Sequence, residues 1–254
     1  MNKIKIAILG GGMSGMLAAK ALWDNGIQEF DILTNTFSEP KGYMYLHNNC
    51  GMPLDGMTIN VHQLGEEEAY RKKLGYDTSV DASWKSGLEE YYSYGYNPYQ
   101  AYNFLLWHFK DKAIVTKIEN KDIKRIKGEY DYVISTIPLP ILYPDAQYYS
   151  SEILLEEYDT PRPYQKAYVY YDGIEQSDSV RFGTGFWGKG FCEYPVDQKV
   201  DGTVRVIKPT IATNVPKDSQ IVLAGRAGQW NKNVLAHNVY YQILDEFKGG
   251  TYGG

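Results

Sequence analysis

The N-terminal part of the chain combines a continuous apolar run, a glycine-rich turn and a helical pattern. The run KIKIAIL over 3–9 predicts a strand, and residues 13–25 predict a helix, with the small Ala18, Ala19 and Ala21 where it would approach the sheet. Gly26 is a helix stop signal, and EFDILT over 29–34 predicts a second strand. A strand, helix and strand in this space are typical of one β-α-β crossover unit.

The rest of the apolar pattern predicts strands more often than helices. Residues 36–97 are rich in Gly, Asn, Pro and Tyr and are interpreted as an irregular segment. The further predicted elements are a helix over 97–112 capped by Asn97, short strands over 113–126 with a turn near Asn120, a strand over 130–142 that stops at Pro138, strands over 166–174, 202–213 and 219–223, and a helix over 233–247.

This order predicts an α/β protein with a mostly β insertion. Short, right-handed connections allow the two ends of the chain to join one Rossmann-like parallel sheet, built from 1–36, 113–140 and 220–247. Residues 37–112 and 141–219 then form a smaller, loop-rich and β-rich region that caps this sheet. The glycine-rich tail, 248–254, is expected to be mobile.

Composition narrows the class of protein. The 254 residues carry a formal charge of −5, and no apolar run reaches the length of a membrane span. Two cysteines are too few for a disulfide framework, which favours a reducing, cytoplasmic setting. The acidic balance does not favour a nucleic-acid-binding surface. The 24 tyrosines, many of them within 89–102, suit either pocket walls or the half-wet edge of a small core.

The glycines at 10, 12 and 15 form the pattern G-x-G-x-x-G between the first strand and the first helix. Gly10 permits a tight turn, Gly12 lets the backbone approach a pyrophosphate, and Gly15 lets the helix pack close to the strand. The helix start supplies free N–H groups and partial positive charge. Because strand, turn, helix and second strand occur in the required order, the pattern predicts a dinucleotide site.

The usual ribose-binding acid is missing from the end of the second strand, where the sequence reads Leu-Thr-Asn-Thr over 33–36. Thr34 and Asn35 are candidates for a single hydrogen bond to the ribose. No arginine lies near in sequence to bind a 2′-phosphate, so NADP is not favoured over NAD.

Two later segments extend the pattern. YDYVISTIPLP over 130–140 brings Thr136 and Pro138 to a strand end, and IVLAGRAGQW over 221–230 places Gly225 and Arg226 before a helix. With the N-terminal turn, this order resembles the FAD-dependent amine-oxidase-like flavoproteins, and the last segment is most similar to UDP-galactopyranose mutases. The resemblance covers residues 4–35, 113–140 and 220–247.

The resemblance implies an FAD cofactor and assigns a role to each matching position. The residues that would bind the pyrophosphate are Gly10, Gly11, Gly12, Ser14 and Gly15, and Gly225 and Arg226 would approach the pyrophosphate and the ribityl chain. Backbone groups of Val115 would face the adenine, and Thr136 and Pro138 would line the adenosine-side wall. The N–H groups of Asn233 and Val234 would face the pyrimidine edge of the flavin. For Arg226 the alternative is a surface ion pair.

The same resemblance places residues 39–56 beside the flavin, with Gly42, Tyr43, Met44, Tyr45 and His47 as wall candidates. Tyr45 and His47 are the candidate catalytic residues. His47 is either a general base or a hydrogen-bonded structural histidine. Cys50 is expected to be a buried thiol, and the histidines show no metal-ligand spacing. The glycine-rich stretch 181–191 is either a substrate loop or a bend in a sheet.

The sequence therefore predicts an FAD-dependent oxidoreductase that oxidises a small molecule, by resemblance an amine, through hydride transfer. One alternative is a non-redox flavoenzyme of the UDP-galactopyranose mutase type, and another is a nucleotide-binding module without catalysis. The chain departs from the family in its short length, its missing ribose acid and its lack of a recognisable UDP-sugar pattern. A flavoenzyme that modifies nucleic acid remains a further alternative, since Tyr and Trp stack on bases.

Overall fold

The computed structural model describes residues 4–37, 41, 44–75, 84–160 and 167–248. In chain order the elements are β1 (Ile6–Leu9), α1 (Met13–Asp24), β2 (Phe30–Thr34), β3 (Gly56–Gly65), α2 (Glu67–Lys73), β4 (Glu90–Tyr96), α3 (Pro98–Phe109), β5 (Ala113–Val115), α4 (Asn120–Glu129), β6 (Tyr132–Ser135), α5 (Leu139–Leu142), β7 (Gln147–Asp159), β8 (Ala167–Gly173), β9 (Arg181–Thr184), β10 (Lys189–Pro195), β11 (Val204–Thr213), β12 (Ile221–Leu223), α6 (Gly225–Gln229) and α7 (Ala236–Glu246).

The first sheet is parallel and has the order β12-β6-β1-β2-β5. Its central strand, β1, is buried along its whole length. Helices α1, α3 and α7 cover one face, with Leu17, Leu105 and Ile243 fully buried in the same apolar cluster. The predicted α/β class with a parallel sheet is confirmed. Helix α3 lies within the range assigned to the capping region, yet it packs on α1.

The second sheet has the order β11-β7-β10-β9-β8-β3-β4 and is antiparallel except where β3 pairs with β8. One face is covered by α2 and by the chain around Met44 and Tyr45, and its core includes Ile59, Val169 and Leu155. We call it the inner face. On the opposite face, which we call the outer face, strand alternation places Tyr92 and Tyr94, and both side chains are exposed.

Three local predictions are wrong. Residues 36–97 contain β3, α2 and β4, because the tyrosines of β4 alternate between the two faces of a sheet rather than forming a loop. Asn120 does not mark a turn between strands but begins α4, whose start is capped by the backbone N–H of Glu119 donating to Asp122 at 3.0 Å. The last helix begins at Ala236 rather than near residue 233.

The glycine-rich stretch 181–191 forms the hairpin of β9 and β10. At its tip Trp187 has a φ of 57°, and its ring stacks on Tyr99 with centroids 6.2 Å apart. Asn97 caps α3 as predicted, accepting from the backbone N–H groups of Tyr99 and Gln100. Among the described residues, no helix has the length and apolar character needed to cross a membrane.

Candidate functional site

The glycine turn lies between β1 and α1 at the carboxyl end of the parallel sheet. Gly10 has a φ of 105°, which favours glycine, and its N–H donates to the Leu33 carbonyl at 2.8 Å. A Cβ on Gly15 would collide with the Gly10 carbonyl, so this glycine sets the close approach of helix and strand. A Cβ on Gly12 would meet nothing within 4 Å, and no side chain caps α1. The space beside Gly12, at the start of α1, is therefore open.

Two distant segments meet this turn. A Cβ on Gly10 would lie 2.7 Å from Thr136 Oγ1, and that hydroxyl donates to the Leu9 carbonyl at 2.8 Å. A Cβ on Gly225 would lie 2.7 Å from Ser14 Oγ, so the start of α6 touches the first turn of α1. The structure thus brings together the three segments that the sequence assigned to one site.

Arg226 follows Gly225 at the start of α6 and is exposed. Its guanidinium forms no ion pair or hydrogen bond with any part of the chain that the structure describes. The alternative of a surface ion pair is therefore not supported within those ranges. An unpaired guanidinium beside a glycine turn suits an anion that binds there.

At the end of β2, where the sequence predicts the ribose, the structure has Thr34 rather than an acid. The buried Thr34 hydroxyl accepts from the Gly11 N–H at 3.0 Å and donates to the Thr36 carbonyl at 2.8 Å, so it shapes the turn. Asn35, the next residue, is exposed. Val115 ends the edge strand β5 and is 70% exposed, which leaves one edge of its backbone unpaired by this sheet. The exposed Pro138 precedes α5.

The N–H groups that the sequence predicts to face the flavin pyrimidine edge, those of Asn233 and Val234, are not free in the structure. The N–H of Asn233 donates to Asn231 Oδ1 at 2.9 Å, and the N–H of Val234 donates to the Asn231 carbonyl at 3.3 Å. Both groups lie before α7 and are already paired. Because α7 begins at Ala236, the N–H groups available at its start are those of Ala236 and His237.

The structure describes only some of the residues at 42–47 that the sequence predicts beside the flavin. Gly42 and Tyr43 lie outside the described residues. Met44 lies against Gly185, where a Cβ would be 3.3 Å from the Met44 carbonyl oxygen. Tyr45 packs on the inner face against Gly95, and its ring centroid is 4.7 Å from that of His47.

His47 lies between Tyr45 and the start of α7, and its ring centroid is 5.9 Å from that of His237. Desolvation and then the neighbouring His237 lower the pKa of His47, and desolvation lowers the pKa of His237. Both imidazoles are therefore neutral at pH 7 and able to accept a proton. Burial raises the pKa of Cys50 to about 12, and the thiol is buried, as predicted.

A buried charge cluster on the inner face was not found from the sequence. Glu193 on β10 accepts from Arg181 Nε at 3.1 Å and also from Arg181 Nη2, and Lys208 Nζ on β11 donates to Glu193 Oε2 at 2.8 Å. Against the effect of burial, Arg181 and Lys208 lower the pKa of Glu193 to about 2. The sequence feature that could have indicated the cluster is the alternation along β11, which places Lys208 on the same face as Val206.

No family model matches the chain, and no curated protein matches it significantly. Solved structures do match. A tryptophan 6-halogenase from Streptomyces toxytricini has a TM-score of 0.57 at 9% identity, and the alignment covers 100% of this chain and 74% of the halogenase. A reduced UDP-galactopyranose mutase has a TM-score of 0.57 at 11% identity, and the alignment covers 95% of this chain and 94% of the mutase.

A third match is a glycerol-3-phosphate dehydrogenase from Bacillus halodurans complexed with FAD, with a TM-score of 0.53 at 12% identity. That alignment covers 96% of this chain and 64% of the dehydrogenase. The chain has the fold that these enzymes share. At such low identities the likeness concerns the fold, and it does not single out amine oxidases.

Proposed function

We propose that the chain binds FAD and is a flavin-dependent oxidoreductase. The observation that carries the proposal is the contact of Gly225, at the start of α6, with Ser14, in the first turn of α1, at the carboxyl end of the parallel sheet, with open space beside the neighbouring Gly12. Ligands of open α/β sheets bind at that end, beyond the strands. The fold of an FAD-complexed dehydrogenase supports a flavin dinucleotide over a nicotinamide one.

The residues present fit such a cofactor. The uncapped start of α1 offers backbone N–H groups to a pyrophosphate, and Arg226 adds a positive charge with no partner of its own within the described ranges. Asn35 is the exposed polar side chain at the end of β2, where the ribose would lie. The start of α7, at Ala236 and His237, would face the flavin ring with its positive dipole end.

When bound, FAD would supply the two-electron chemistry by accepting a hydride from a substrate C–H bond, while the adjoining N–H or O–H proton leaves to a base. We assign the role of proton acceptor to His47, because its pKa, lowered by burial and by His237, keeps the imidazole neutral at pH 7. Tyr45 would line the substrate side and, with the inner face, exclude water. A small amine is the proposed substrate, on the family resemblance alone.

A second candidate is a non-redox flavoenzyme, because the chain aligns with 94% of a UDP-galactopyranose mutase. The two functions differ in what a substrate does to the flavin. Anaerobic bleaching of the flavin absorbance by an amine would support oxidation. An unbleached flavin that requires prior chemical reduction for turnover of a UDP-sugar would support the mutase type.

The Arg226→Ala variant tests the cofactor assignment. Losing a charge-assisted phosphate contact of about 1.5–3 kcal/mol should weaken FAD binding about ten- to a hundredfold. Arg205→Ala is the matched control, because Arg205 lies on the outer face and pairs with Glu152. Calorimetric titration of both variants with FAD gives the affinities. Equal affinities for Arg226→Ala and the unchanged chain would contradict the role given to Arg226.

A further inference from the structure

The charge cluster on the inner face is incomplete as an ion-pair network. Glu193 is the single carboxylate that Arg181 and Lys208 share, and the side chains of Glu193 and Lys208 are 3% and 14% exposed. An ammonium group has three donors, and Glu193 takes one of those of Lys208. In the part of the chain that the structure describes, Lys208 forms no other ion pair. Buried positive charge in excess of its partners is costly unless a ligand compensates for it.

A second polar group lies beside Lys208. Ser151 on β7 is the direct cross-strand partner of Lys208 on β11, so the two side chains lie on the same face. Ser151 is 6% exposed, and its hydroxyl has no hydrogen-bond partner among the described residues. A buried hydroxyl without a partner, next to an ammonium group with unused donors, points to an anion that would accept hydrogen bonds from both.

The cluster faces the candidate cofactor site. After α6, Trp230 Nε1 donates to the Tyr149 carbonyl at 3.0 Å, and the N–H of Lys232 donates to the Thr210 carbonyl at 3.3 Å. These bonds fix α6, and with it Arg226, over the ends of β7 and β11. Arg226 is near enough to contribute to the lowered pKa of Lys208, which burial brings to about 8.

We propose that Lys208 and Ser151 form a subsite for an anionic group of the substrate, a carboxylate or a phosphate ester, bordered by Arg226 on the cofactor side. The inference rests on the proposed function and narrows its substrate class to molecules that carry such a group. Tyr45 packs on the same inner face but against Gly95 of β4, at the opposite edge of the sheet from β11, so the subsite is positioned by its nearness to Arg226 rather than to Tyr45 and His47.

Binding of small anions to the full chain tests the subsite. Inorganic phosphate and acetate are titrated calorimetrically at constant ionic strength, with acetamide as the uncharged control. We expect an anion to bind, Lys208→Met to weaken its binding at least tenfold and Ser151→Ala to weaken it about fivefold, as the loss of one hydrogen bond implies. Lys208→Arg should restore binding, and Arg205→Met, on the outer face of the same strand, should leave it unchanged.

The Lys208→Met variant leaves Glu193 paired with Arg181 and is expected to fold. Should it not fold, Ser151→Ala and Lys208→Arg carry the same test. Phosphate binding alone would indicate a phosphate ester, and acetate binding alone a carboxylate. The proposal would be overturned if no anion binds, or if the anion affinity is unchanged by Lys208→Met and by Ser151→Ala.

A final titration, with FAD-saturated protein, distinguishes this subsite from the cofactor site. We expect protein saturated with FAD to bind the same anion as the FAD-free protein. Loss of anion binding on saturation would mean that Lys208 serves the cofactor phosphates, which overturns the substrate subsite. If no FAD binds while anion binding still depends on Lys208, the subsite is supported and the proposed flavoenzyme function is contradicted.

Discussion

Replacing Gly12 with alanine should separate cofactor binding from folding. Gly12 has a φ of −78°, which alanine adopts without strain, and its added Cβ would meet nothing within 4 Å. The free energy of unfolding should therefore change by less than about 1 kcal/mol, because the restriction of the unfolded chain by alanine is offset by its poorer fit to the N-cap position of α1. The same methyl group would occupy the space through which a pyrophosphate approaches the backbone.

The expected loss of FAD affinity follows from the bonds displaced. One charge-assisted hydrogen bond contributes about 1.5–3 kcal/mol, so displacing a single N–H contact weakens binding about ten- to a hundredfold. Gly15→Ala is the contrasting variant, since its Cβ would collide with the Gly10 carbonyl and should lower both FAD affinity and stability by overpacking. Gly128→Ala, in α4 with open space around its Cβ, is the control that should stabilise the fold and leave FAD binding unchanged.

Urea unfolding gives the stabilities of these three variants, and calorimetric titration gives their affinities for FAD. The reasoning is refuted if Gly12→Ala binds FAD as tightly as the unchanged chain. It is also refuted if Gly12→Ala loses stability to the same extent as Gly15→Ala, because the glycine would then serve folding rather than a ligand.

Two further predictions concern charges. Glu193→Gln should lower the free energy of unfolding, measured by urea titration, by about 3–5 kcal/mol, because it leaves two buried cations unpaired. Glu129→Gln, which removes a surface ion pair, is the control and should change that free energy by less than about 1 kcal/mol. Similar values for the two variants would contradict the buried network. Because the pKa of His47 is lowered in the folded chain, the unfolded chain takes up a proton at this residue at a higher pH than the folded chain does. Protonation of His47 should therefore lower the free energy of unfolding as the pH falls below about 6.5. Urea midpoints at pH 5 and 8 should differ less in His47→Asn, and an equal difference would argue against this pKa direction.

The glycine turn and its place in the fold could be predicted because the signals for them are local in sequence. A glycine turn needs its residues at fixed spacing, so Gly10, Gly12 and Gly15 identify it before any tertiary contact is known. The segments around Thr136 and Gly225 were added by resemblance, and the structure brings both against the turn.

The buried charge cluster on the inner face could not be predicted in the same way. Arg181, Glu193, Lys208 and Ser151 lie on four strands, and their meeting depends on strand order and register, which spacing along the chain does not encode. Strand β7 is not predicted because YYSSEILLEEYD places Tyr, Ser and Glu on both faces and so lacks the alternation of apolar and polar residues that marks a half-buried strand.

The visible absorbance spectrum of the purified chain, after incubation with excess FAD and removal of the unbound cofactor, tests the central claim most directly. The account predicts a yellow protein with a flavin spectrum, from which heat releases stoichiometric FAD identified by mass. A colourless protein that retains no FAD, or one that binds NAD in its place, would contradict it.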